Sequence, residues 1–134
     1  MMIPFKMVKI NVEQFAILSD EAPSGSIGLN ISLSFKYSSE GKRIACVLDL
    51  KFEKDSTPVI VLRMNCEFAI PEDKWSIIED DNSVNIPVEL QKYLAAQTIG
   101  ASRGILYCKT EGTPFGNLIL PPINVEDIIS VTEE

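Results

Sequence analysis

The sequence predicts an α+β fold: a four-stranded antiparallel sheet, then a long helix, an extended crossover and a short C-terminal helix. Three observations carry this expectation. Between Val8 and Ile70 apolar side chains recur at every second position in four separate runs, the period of a half-buried strand. From Leu90 to Cys108 the spacing lengthens to three and four residues, the period of a helix with a buriable face. The segment Gly112-Thr113-Pro114-Phe115-Gly116 then stops that helix, because Pro and Gly do not continue it. No internal repeat, low-complexity run or second domain interrupts the order, so residues 1–134 are expected to form one domain.

The strands can be justified in turn. In the first, Val8, Ile10 and Val12 alternate with Lys9, Asn11 and Glu13, after which the apolar phase slips to Phe15 and Ile17. An extra residue in a strand produces such a slip, so a bulge is expected near Glu13-Gln14. Ser19 to Ser26, rich in Ser, Asp, Pro and Gly, forms the first connection. From Ile27 to Tyr37 the odd positions are apolar, and from Ile44 to Phe52 the even ones are. For both sets to face one core, paired residue numbers must sum to an odd value; closure around Glu40-Gly41 gives 81 and sets Phe35 opposite Cys46. The fourth run, Val59 to Ile70, keeps its larger apolar residues at even positions, so its sum with the third must be even. The polar loop from Lys54 to Pro58 suggests 112, which sets Cys46 opposite Cys66 on the inner face and Asp49 opposite Arg63 on the outer one.

After Ile70 the chain is expected to turn through Pro71-Glu72-Asp73-Lys74 and run as a polar loop to Asn85. Pro87 suits the first turn of the long helix. Leu90, Leu94, Ala101, Ile105 and Cys108 make one stripe of that helix, and Tyr93, Ala96, Gly100, Gly104 and Tyr107 an adjoining one. Two adjoining buriable faces exceed what one sheet covers, and Gly100, Ala101 and Gly104 are candidates for a close contact with another subunit. Asn117 to Pro122 reads as the crossover. Asn124 caps a short helix from Val125 to about Ser130, with Glu126 and Asp127 in its first turn.

Composition narrows the function. The net charge of -7 disfavours nonspecific attraction to nucleic acid or anionic lipid and favours basic partners. No apolar run approaches the ~20 residues of a membrane span, and Lys6, Lys9, Asn11 and Glu13 break up the N-terminal segment, so a cytoplasmic protein without a targeting segment is expected. The chain has no histidine, which removes Ser-His-Asp and Cys-His nucleophile arrangements and imidazole-based zinc sites. Cys46, Cys66 and Cys108 are too far apart for a Cys-x-x-Cys site, and no Gly-rich phosphate loop is present. Asp80-Asp81 lies in a Glu-Asp-Asp-Asn-Ser stretch typical of a solvated loop. Neither an enzyme nor a bound metal, nucleotide or other cofactor is expected.

The C-terminal third resembles the signature of the SecB protein-export chaperones. In that family a Gly-x-x-Pro-x-Leu-x-Leu-x-Pro-Val-Asn-Phe pattern leads from the long helix to the short one. Gly112, Pro114, Leu118, Leu120, Pro122, Ile123, Asn124 and Val125 look like it, with altered spacing around Phe115-Gly116-Asn117 and an aliphatic in place of the last aromatic. Val12 to Pro23 is similar to the family's first strand and following Ala-Pro, and Glu67 to Ile70 to the end of its fourth strand.

The resemblance implies an ATP-independent chaperone, a dimer or tetramer whose long helices pack between subunits, holding unfolded polypeptides or preproteins for the SecA translocation motor. It implies a peptide-binding groove near Phe115, Leu118, Leu120, Ile123 and Ile129, although the same residues could instead seal the chain's own core. SecA docking in the family uses acids near the first strand and the turn between the third and fourth. Glu13, Glu53 and Asp55 occupy those neighbourhoods, while Gln14 and Lys54 stand where further acids would strengthen the match. Two alternatives remain open: a chaperone dedicated to an antitoxin of a toxin-antitoxin pair, and a non-chaperone oligomeric scaffold on the same fold.

Overall fold

The computed structural model of the chain describes residues 3–21, 25–80 and 83–128. Four strands, β1 (Lys6–Ile17), β2 (Gly28–Ser38), β3 (Arg43–Lys54) and β4 (Thr57–Ala69), form one antiparallel sheet in the order β1-β4-β3-β2. Both hairpin registers follow from the parity of the apolar residues. Strands β2 and β3 pair with a sum of 81 throughout, Phe35 facing Cys46. Strands β3 and β4 pair with a sum of 112 from Arg43↔Ala69 to Phe52↔Ile60, which aligns Cys46 with Cys66 and Asp49 with Arg63. The register then shifts by one at Glu53↔Pro58, next to a turn in which Asp55 and Ser56 take φ of 52° and 67°. In the β2–β3 turn the left-handed residue is Lys42, at φ 56°.

The register of β1 against β4 slips between Val12 and Gln14, so Glu13 is the bulge residue expected from the change of apolar phase. A second slip, between Met7 and Lys9, was not legible in the sequence. It sets Met7 opposite Phe68 and leaves Val8 outside the pairing, so Val8 does not continue the row of Ile10 and Val12. Phe5 extends the contact with an edge-on approach to Phe68 at 5.7 Å between ring centroids.

The segment after Ile70, expected as a turn and polar loop, holds a short helix, α1 (Glu72–Ile78), and a small hairpin of β5 (Glu79–Asp80) and β6 (Ser83–Val84). Pro71 precedes the helix, Glu72 and Asp73 occupy its first turn, and Trp75 and Ile78, three residues apart, are its buried residues. Trp75 Nε1 donates to Glu79 at 2.7 Å and the Ser39 hydroxyl donates to the same carboxylate at 2.6 Å, which ties α1 to the β2–β3 turn. These two hydrogen bonds, Ser39's first, hold the Glu79 pKa below the ordinary carboxylate value. Asp80 is exposed; Asp81, its neighbour in the acidic pair, lies outside the described residues.

Helix α2 (Val88–Thr110) crosses the inner face of β3 and β4. Pro87 stands just before it, at the N-cap, rather than within its first turn. Its buried face is rotated from the predicted stripe. Leu90, Leu94, Ile99 and Leu106 are buried together with Ala95, Thr98, Ser102 and Thr110, whereas Ala101 and Ile105 are half-buried and Cys108 is exposed. The reason is local. Thr98, Ser102 and Thr110 donate their hydroxyl hydrogens to the carbonyls of Leu94, Ile99 and Leu106 at 2.7–2.9 Å, so these short polar residues enter the core already satisfied. The helix ends at Thr110, and Gly112 follows at φ 81°, a conformation that glycine adopts without steric cost.

The chain then crosses without regular structure to α3 (Val125–Ile128), where Asn124 Oδ1 accepts from the Glu126 amide at 3.0 Å as the capping expectation requires. The expected continuation to Ser130 lies outside the described residues. No helix among the described residues is long and apolar enough to cross a membrane.

Candidate functional site

The sheet is wider than the helix laid on it. Because α2 sits over β3 and β4, the inner rows of the two edge strands are incompletely covered. This leaves two apolar margins.

At the β1 margin, the inner row after the second bulge is Ile10, Val12, Phe15 and Ile17. Ile10 keeps 48% and Val12 42% of their surface exposed although both point to the helix side of the sheet. A hollow of about 880 Å³ opens between that row and the face of α2 formed by Gly100, Ala101, Gly104, Ile105 and Cys108. At the end of the helix Lys109 Nζ lies 5.6 Å from the centre of the Phe15 ring. The interface candidates Gly100, Ala101 and Gly104 are therefore together, on a wall of this hollow. A Cβ at Gly100 or Gly104 would meet nothing within 4 Å, so no contact inside the described chain requires glycine there.

At the β2 margin α3 packs against both β2 and α2, and the crossover leads to it. Phe115 (1% exposed) and Leu120 (2%) are plugs in the chain's own core, presenting no surface in this conformation. Between them Leu118 is half-buried and Ile119 is 60% exposed; Ile123, Val125 and Ile128 pack half-buried against the core. The inner row of β2, Ile27, Leu29, Ile31 and Leu33, is partly covered. The crossover is fixed from behind by Arg103, whose Nε and Nη2 donate to the carbonyls of Leu120 and Pro121, both at 3.1 Å. Lys92 fastens the short helix through Glu126 at 3.3 Å. Of the five groove candidates, two are sunk in the core, two are half-buried, and Ile129 lies outside the described residues. The exposure of Ile119 is not legible in the sequence, since a lone aliphatic between two leucines carries no signal for it.

The acidic candidates do not converge. Glu13, on the first bulge found from sequence, accepts from Asn65 and from Arg63 Nε at 3.1 Å, and the hydrogen bond from Asn65, followed by Arg63, holds its pKa below the ordinary value. Glu53 and Asp55 lie at the β3–β4 turn, where Glu53 pairs with Pro58. Among the described residues no three Cys, Asp or Glu side chains are grouped as a metal ion would require.

No family model matches the chain, and no curated protein does. Among solved structures, the Mycobacterium tuberculosis Rv1957 SecB-like chaperone, in complex with a ChAD peptide from the Rv1956 HigA1 antitoxin, superposes with a TM-score of 0.57 over 89% of this chain and 90% of that one, at 14% identity. The chain has a SecB-like fold. A Streptococcus agalactiae protein of unknown function is also similar, at 16% identity and a TM-score of 0.41 over 83% of this chain and 90% of its own. The expected order of sheet, long helix, crossover and short helix is thus consistent with the SecB-like fold, and in this chain α1 and the small β5–β6 hairpin lie between sheet and long helix.

Proposed function

We propose that this chain is an ATP-independent, non-enzymatic chaperone that assembles with copies of itself and holds extended apolar segments of unfolded polypeptides. The observation that carries the reading is the pair of incompletely covered apolar margins on a SecB-like fold. Exposed apolar rows cost solubility unless something covers them, and the two margins suit different occupants. The β1 margin, with glycines that let a second helix approach and an unpaired strand edge beside it, is assigned to another subunit. The β2 margin, on which α3 packs, is assigned together with the crossover residues Leu118, Ile119 and Ile123 to the client, whose capture would hold it from aggregating by mass action.

The test is suppression of aggregation of a chemically denatured client without nucleotide. Replacing Leu118 and Ile119 together by Ser should weaken client binding about tenfold, the ~1.4 kcal/mol expected from losing part of two aliphatic contacts. Unchanged holding by a folded, assembled double variant would remove the client site from the crossover. If the parent holds no client at all, the scaffold alternative replaces this one.

A second reading makes the client a single antitoxin. It is favoured by the antitoxin peptide bound to the similar Mycobacterium tuberculosis chaperone. Delivery to SecA draws less support, because Glu13 is engaged by Arg63 and Asn65, away from Glu53 and Asp55. Comparison of client range decides between general and dedicated holding.

A further inference from the structure

The outward face of the sheet is charged oppositely to the chain as a whole. On it stand the cations Lys6, Lys9, Lys36, Arg43, Lys51 and Arg63 against the carboxylates Glu13, Asp49, Glu53 and Glu67, a surplus of two positive charges in a chain whose total is -7. The acids are also mostly spent: Arg63 holds Glu13 and Asp49, and Arg43 holds Glu67 at 3.3 Å. Lys6, Lys9, Lys36 and Lys51 are exposed and form no ion pair among the described residues. Around them Asn30, Ser32, Ser34 and Ser38 make the outward row of β2 hydrogen-bonding rather than apolar. Among the described residues depressions interrupt the face. One, of about 500 Å³, is lined by Lys36, Tyr37, Ser38, Gly41, Arg43 and Glu67; a smaller one lies among Asn30, Ser32, Asp49 and Lys51.

We propose that this outward face docks an acidic polypeptide segment in extended form, one carboxylate entering the depression between Lys36 and Arg43 and another reaching Lys51. Charge complementarity selects the sign of the partner, and the spacing selects its pattern. Lys36 and Asn30, the residue opposite Lys51, lie on the same face of β2 with an even offset. At ~3.4 Å per residue they are roughly 20 Å apart, so an extended partner would match them with acids at i and i+6 on one side. A nucleic acid fits less well. Its unbroken row of phosphates would meet Asp49 and Glu67 between the cations, and among the described residues lining the two depressions Tyr37 alone offers an aromatic surface to a base. The surface is distinct from both apolar margins, which lie on the opposite side of the sheet.

The probe is a fluorescein-labelled Glu/Ser peptide of about twelve residues with Glu at i and i+6, followed by anisotropy against the full chain. Its Gln/Ser counterpart and an oligodeoxythymidylate of equal length serve as competitors. Saturable binding at low ionic strength is expected, weakened at least tenfold on raising salt from about 50 to about 300 mM and absent for the Gln peptide. The double variant Lys36→Glu, Lys51→Glu should lose at least tenfold in affinity while its melting temperature and client holding stay those of the parent. The proposal is overturned by no binding at low salt, by equal binding to the variant, or by tighter binding of the oligonucleotide. It is also overturned if the chain associates with itself in a salt-sensitive way that the double variant abolishes, since a second copy would then be the occupant.

Discussion

Cys46 and Cys66 face each other across β3 and β4, fully buried, beneath the Thr98 hydroxyl of α2. Burial pushes the Cys46 thiol from 9.0 up to about 12, offset in part by a hydrogen bond with Thr98, and burial raises Cys66 as well. The folded state therefore prefers the neutral thiol more strongly than the unfolded chain does. Stability from this source is complete below pH 9 and is lost as pH rises from 9 towards about 12. Chemical denaturation at stepped pH should show the parent losing stability over that interval more steeply than Cys46→Ala, which lacks the thiol. Equal slopes would mean that the site opens to solvent before the thiol ionises. The same burial predicts selective chemistry: in dilute solution a thiol reagent should modify the exposed Cys108 promptly and the two core thiols only on unfolding. Rapid modification of three thiols in the folded protein would contradict the packing around Thr98.

The four main strands and both hairpin registers were legible because one face is buried: a one-residue slip would turn Phe35, Leu48 or Leu62 outward, so parity alone fixes the pairing. The first bulge was legible for the same reason, as a break in parity at Glu13; the second was not, because Val8 looks like part of the row that Met7 in fact joins. Helix α1 carries little sequence signal, being a single short element with two buried anchors, Trp75 and Ile78, set in charged residues. Hydrophobic spacing does not reveal the buried face of α2, because Thr98, Ser102 and Thr110 reach the core by bonding back to the helix. Gly100 and Gly104 are different again: the sequence marks their positions, but only the structure reveals open space around them. Alanine at either should therefore stabilise the dilute chain by about 0.5–1 kcal/mol, the ordinary helical preference over glycine, seen as a rise in melting temperature. A fall would mean that the glycines serve a contact made within the chain. Leucine at either should leave the fold intact but fill the hollow, lowering self-association more than stability.

At the scale of the molecule, the two margins and the outward sheet face divide the surface into three regions of different chemistry, and assembly decides which remain available to a client. Were a second copy to cover the β2 margin, the crossover residues would be shut away and the β1 hollow would be the open surface. The opposite arrangement leaves Leu118 and Ile119 accessible in the assembled protein. Cys108 distinguishes them, since it is exposed and lines the β1 hollow without belonging to the core. With increasing protein concentration, the modification rate of Cys108 should fall in step with the rise in mass measured by light scattering. A cysteine introduced by Ile119→Cys, at the other margin, should keep its rate across the same transition. Client should then slow the Ile119→Cys thiol and leave the residual rate at Cys108 unchanged. If Cys108 instead reacts equally fast through the whole mass transition, the second copy does not sit on the β1 margin. The roles given to the two margins would then have to be exchanged.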